Sequence, residues 1–146
     1  MTRLVVASDH AGWSLKQVLV IALRERGHEV EDVGTDGEGS VDYPDFAHRA
    51  AERVAAGEGT LGVLVCGSGV GMSIAANRHP SVRAVVCTES YSATMARRHN
   101  DANVLCLGAR VVGAGLAEQI VEAFLGASFE GGRHARRVAK IERAPR

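Results

Sequence analysis

The run Leu61-Gly-Val-Leu-Val-Cys66 is apolar at every position and ends directly in Gly67-Ser-Gly-Val-Gly71. A strand that faces water on one side alternates apolar and polar residues. An unbroken apolar run of this length is expected of a strand covered on both faces, which points to a parallel sheet between two helical layers. The rest of the chain agrees. Leu4–Ala7, His28–Val33, Ala84–Cys87 and Val104–Leu107 read as further strands. Between them lie helical patterns: Ser14–Arg26, with Leu15, Val18, Leu19, Ala22 and Leu23 on one face, and a helix opening at Pro44 that buries Phe46, Ala47, Ala50, Ala51 and Val54. Others follow the glycine loop through Asn77, cover Tyr91–His99 and Ala114–Leu125, and form a short basic helix at about 131–142. Strand–helix alternation gives right-handed crossovers. The expected fold is a three-layer αβα, Rossmann-like single domain over residues 1–146, with a five-stranded parallel sheet.

Composition narrows the function classes. The 146 residues carry 17 basic and 17 acidic side chains, so net charge is zero, which argues against nucleic acid or an anionic membrane as main partner. Charge is nevertheless concentrated at the end, where Arg133, Arg136, Arg137, Lys140, Arg143 and Arg146 stand against Glu130 and Glu142. That imbalance suits a small anionic ligand, or simply a solvated helix. The chain enters its first strand without an apolar stretch long enough for a signal peptide or membrane span. Cys66, Cys87 and Cys106 are odd in number and widely spaced, which fits a reducing cytoplasm better than a disulfide framework, and no His/Cys spacing is that of a zinc site. No metal and no cofactor are expected.

In open parallel sheets ligands bind beyond the carboxyl ends of the strands. That edge here collects Asp9-His10, the Cys66–Gly71 loop, Thr88-Glu89 and Gly108-Ala-Arg110. The glycine loop either cradles an anion with its backbone N–H groups or is an ordinary strand-to-helix turn. A dinucleotide site is the rival, since Glu89 falls at the distance that fingerprint demands, but the third glycine comes one residue early and the loop follows the third strand rather than the first. Cys87 and Cys106 sit inside apolar strands and read as small core residues. Cys66 lies at a strand mouth against a helix start, where N–H groups stabilise a thiolate. It is a nucleophile or a general base, and the residues alone leave both open. His28, His48 and His79 read as surface residues, whereas His10, His99 and His134 have polar neighbours. Arg133 and Arg137, four apart, share a helix face that fits a phosphate or plain solvent.

Together Asp9-His-Ala-Gly12, Asp42-Tyr-Pro44, Cys66-Gly-Ser-Gly-Val-Gly-Met-Ser-Ile-Ala-Ala-Asn77, Arg83-Ala-Val-Val86, His99-Asn-Asp-Ala-Asn103 and Gly131-Gly-Arg-His-Ala-Arg-Arg137 resemble the type B ribose-5-phosphate isomerases. The wider family includes galactose-6-phosphate isomerase subunits and allose-6-phosphate isomerases. The likeness runs from Leu4 to about Ile141. It implies aldose–ketose isomerisation of ribose 5-phosphate and ribulose 5-phosphate through an enediolate, with another aldose phosphate or a non-catalytic binding module as alternatives. It further implies Cys66 as base, Ser68 as its orienting partner, and the N–H groups of Gly67, Gly69 and Gly71 as the oxyanion hole. His99 would open the sugar ring, Asp9, Tyr43 and Asn100 would hold hydroxyls, His10, Arg133 and Arg137 the phosphate, and Arg110 would line the pocket. A second branch of the family has glycine at the cysteine and glutamate at the position of Met72, so this chain fits the cysteine branch. Ser68 stands where threonine is common. Family members are homodimers or homotetramers with active sites shared between chains.

Overall fold

In the computed structural model, which describes residues 2–142, the glycine-ended apolar run is the central strand. The elements are β1 (Arg3–Ser8), α1 (Trp13–Glu25), β2 (Glu29–Asp32), α2 (Tyr43–Ala56), β3 (Leu61–Cys66), α3 (Val70–Ala76), β4 (Ala84–Val86), α4 (Ser90–Asn100), β5 (Val104–Gly108), α5 (Ala114–Leu125) and α6 (Arg133–Ala139). The five strands are all parallel and lie in the order β2-β1-β3-β5-β4. The expected three-layer α/β architecture is therefore the observed one.

The two-residue period of the strands divides the core. Leu4, Val6, Val63, Val65, Leu105 and Leu107 face α1, α4 and α5, and pack on Leu19, Leu23, Ala93, Ile120 and Phe124. Val5, Ala7, Leu64, Cys66, Val104 and Cys106 face α2 and α3, against Ala47, Ala50, Ala51, Met72 and Ala76. Burying both faces explains why the central strands carry no polar alternation.

Three expectations need correction. The second strand is only Glu29–Asp32 and largely exposed, because it is the sheet edge and has one neighbour. On α1, Val18 is 40% exposed while Lys16 is fully buried. Lys16 Nζ reaches Asp32 Oδ1 at 2.7 Å and the carbonyl of Thr35 at 2.6 Å, so a satisfied ammonium occupies a place the apolar stripe did not predict. The terminal helix covers Arg133–Ala139 rather than 131–142. Arg143 and Arg146 of the basic cluster lie outside the described residues.

Chain order places the site. The connections leave β1 in one direction towards β2, then cross back to β3, so the crevice between the carboxyl ends of β1 and β3 is the switch point at which such sheets bind ligands. Asp9 follows β1 and Cys66 ends β3.

Candidate active site

Cys66 closes β3 opposite Gly108 in the register, and is 4% exposed. The chain then turns sharply into α3. Gly69 makes the turn with φ of 80°, and a Cβ there would come within 3.0 Å of the Leu107 carbonyl carbon, so both conformation and space demand glycine. The turn brings the Gly69 N–H to 3.1 Å from Cys66 Sγ. Ser68 Oγ accepts from the N–H of Val70 at 3.2 Å, which fixes its oxygen and leaves its proton free to donate.

A pocket of about 400 Å³ opens over the sulfur, lined by Asp9, Tyr43, Cys66, Gly67, Ser68, Gly71, Arg110 and Val111. Asp9 is nearly buried, and its Oδ1 accepts the Gly12 N–H at 3.0 Å. Tyr43, the first residue of α2, lies so close over α3 that a Cβ on Gly71 would meet its ring at 2.7 Å. Arg110 is tied to the loop by its backbone, whose N–H reaches the Gly67 carbonyl at 3.1 Å. Val111 was not anticipated; only its place after Arg110 could have suggested it. His10 sits beside the pocket and accepts the Val41 N–H through Nδ1 at 3.2 Å, which ties the loop between β2 and α2 to the site. A larger cleft, about 720 Å³, lies beyond β2, where Arg53 pairs with Glu31 at 3.0 Å and Asp32 with the buried Lys16 at 2.7 Å.

The other expected residues stand apart. A crossover helix runs antiparallel to the strands, so the end of α4, with His99 and Asn100, lies at the amino edge of the sheet. Arg133 and Arg137 are exposed on α6, which packs on α4. The His99 and His134 rings stack, with centroids 4.2 Å apart and planes 9° from parallel. Between them reaches Glu130, which sequence reasoning missed. Its Oε2 accepts from Arg98 Nε at 2.7 Å, and that bond above all holds the carboxyl below its usual range. His134 titrates below its ordinary value, first because it is shielded from water and next because His99 and Arg133 are close.

The remaining polar and thiol side chains have plain structural roles. Glu89 caps α4, accepting the Ser92 N–H at 2.9 Å, which is a helix start and not a ribose contact. Cys106 is fully buried with its thiol pushed well up, chiefly by desolvation. Burial, then the Glu89 charge, raises the Cys87 thiol to about 11. His48 and His79, expected as surface residues, are half-buried and bonded to each other, Nδ1 to Nε2, at 2.7 Å.

The sequence pattern of the Ribose/Galactose Isomerase family matches residues 4–141. The chain belongs to that family. It is 52% identical over 141 residues to the ribose-5-phosphate isomerase B of Escherichia coli (strain K12), covering 97% of this chain and 95% of that protein. The structure of Clostridium thermocellum ribose-5-phosphate isomerase B superposes with a TM-score of 0.94 at 54% identity, over 96% of this chain and 95% of that one. The crystal structure of ribose-5-phosphate isomerase B from Mycoplasma genitalium with bound ribulose-5-phosphate gives a TM-score of 0.92 at 41% identity, covering 96% and 93%.

Proposed function

We propose that the whole chain acts as one isomerase domain converting ribose 5-phosphate and ribulose 5-phosphate, with Cys66 as the base. The observation that carries the reading is a sulfur at a strand mouth, 3.1 Å from a backbone N–H and facing a pocket walled by a carboxylate, a hydroxyl and a guanidinium. Near-full-length likeness to proteins named for this activity supports the substrate.

The chemistry moves one proton between adjacent carbons. The Cys66 thiolate takes it from C2 of the open-chain aldose and returns it to C1, while a proton passes between the two oxygens. Negative charge grows on oxygen in the enediolate, and fixed N–H donors stabilise it without having to reorganise. The first-turn N–H groups of α3 lack intrahelical partners and open on the pocket at Gly71. Ser68 donates its free proton beside the sulfur. Asp9 and Tyr43 receive hydroxyls, and Arg110 and His10 add positive or donor character at the rim.

Ring opening needs His99, one of the hydroxyl contacts needs Asn100, and most of the phosphate grip needs Arg133 and Arg137, all of which the fold puts at the other end of the sheet. A second copy of the chain supplies them, so the working unit is a homodimer, or a tetramer built from such dimers, with each site shared. Among the described residues no helix is long and apolar enough to cross a membrane, and the proposed setting is the cytoplasm.

The test is conversion of ribose 5-phosphate in the presence of EDTA by the unaltered protein and by Cys66→Ala. EDTA-resistant turnover that vanishes in the variant supports reaction and base together. Turnover that survives in Cys66→Ala rejects the cysteine mechanism, and silence in both rejects this substrate.

A further inference from the structure

The cluster at the junction of α4 and α6 contains more ligand chemistry than ring opening requires. His99 Nε2 lies 3.7 Å and His134 Nε2 3.9 Å from the same carboxylate oxygen, Glu130 Oε1. The three donor atoms all fall within 4.8 Å of one another. Glu130 is not free to leave: its side chain is held by Arg98 through Oε2, and its backbone N–H by the Arg98 carbonyl at 3.0 Å. His134 is 7% exposed, and its Nε2 is buried without a hydrogen-bond partner. A buried nitrogen in that condition needs an explanation, and an ion is among the few that satisfy it.

Distances decide what kind of ion. Tetrahedral zinc, with nitrogen and oxygen ligands at about 2.0–2.2 Å, sets neighbouring ligand atoms about 3.3–3.6 Å apart. The two histidine–glutamate separations exceed that by only a few tenths of an ångström. The stacked rings do not yet converge, because parallel imidazoles aim their lone pairs in parallel. His99 is 38% exposed on its side chain and has room to turn, whereas Glu130 and His134 are fixed. We propose that His99, Glu130 and His134 form a binding site for a divalent transition-metal ion of the zinc type, with three protein ligands and an open fourth position. Two imidazoles and a carboxylate select such an ion over magnesium or calcium, which take oxygen. Arg98, Arg133 and Arg137 stand nearby and weaken attraction for a cation, so the site fills and empties with metal supply. If His99 opens the sugar ring, as proposed above, the ion occupies the imidazole that step uses and halts turnover.

The experiment separates binding from activity. Zinc is titrated calorimetrically into full-length Cys66→Ala protein, so that the thiolate contributes nothing, and cobalt absorption reports the coordination geometry. One ion per chain is expected, weakened about tenfold or more in Glu130→Gln and in His134→Asn and unaffected by His79→Asn. Zinc should also inhibit the unaltered enzyme reversibly, with activity restored by EDTA. Absence of binding, or equal affinity in Glu130→Gln and His134→Asn, overturns the site. Binding without inhibition upholds the site and instead removes His99 from the reaction.

Discussion

Mixing two inactive variants should restore activity if each site is shared between chains. α4 spans Ser90–Asn100, eleven residues, or about 16 Å along its axis, and it runs from the carboxyl edge of the sheet to the amino edge. Cys66 and His99 of one chain are thus held at opposite ends of a rigid layer, and no loop motion joins them. Cys66→Ala lacks the base and His99→Asn lacks the ring-opening imidazole. In a mixed dimer one site combines both defects, and the other combines the intact Cys66 of one chain with the intact His99 of its partner. Random assortment of equal amounts makes half the dimers mixed, each with one working site of two, so activity should return to about a quarter of the unaltered level. The assay is ribulose 5-phosphate formation after co-expression and purification through different tags on the two chains. Purified mixed dimers alone should show about half. If mixed dimers stay as inactive as their parents while remaining folded, the shared-site reading fails and His99 plays no part in the chemistry at Cys66.

Three further outcomes are expected. Lys16→Met removes the only cation paired with Asp32 among the described residues and strands the Thr35 carbonyl, so urea unfolding should show a loss of about 3 kcal/mol; a loss under about 1 kcal/mol would mean the ion pair hardly matters. Gly69→Ala puts a side chain at φ of 80°, costs about 1–2 kcal/mol from conformation alone, and pulls the N–H from Cys66 Sγ, so kcat should fall more than stability does. Brief iodoacetamide treatment near pH 8 should give a single adduct at Cys66 by mass spectrometry, because the Cys87 thiol is raised to about 11 and Cys106 is sealed in the core; comparable labelling of Cys87 would refute that ordering.

The strands and their helices were legible because burial on two faces leaves a plain trace: Leu61–Cys66 and Val104–Leu107 have no polar residue to interrupt them. The Cys66–Gly71 turn was legible because glycine spacing records backbone geometry. Lys16 was not, since a lysine on an apolar stripe reads as solvent-facing until a partner 16 residues away is known. Glu130 was hidden likewise; its i, i+4 relation to His134 is visible, but His99 enters from another helix 31 residues earlier in the chain. The separation of His99 from Cys66 is a property of topology, and motif spacing along a line carries no record of it.

The strand order also sets how this protein would fail under stress. Cys66 is anchored in β3, with β1 on one side and β5 on the other, so its position is lost only when the whole sheet opens. The loop carrying Val41, whose N–H holds His10, instead leaves β2, a four-residue edge strand with one neighbour. Edges open at lower free energy than centres. Warming or mild denaturant should therefore erode the hold on substrate first, and a protein already slack towards its sugar would still present an intact base.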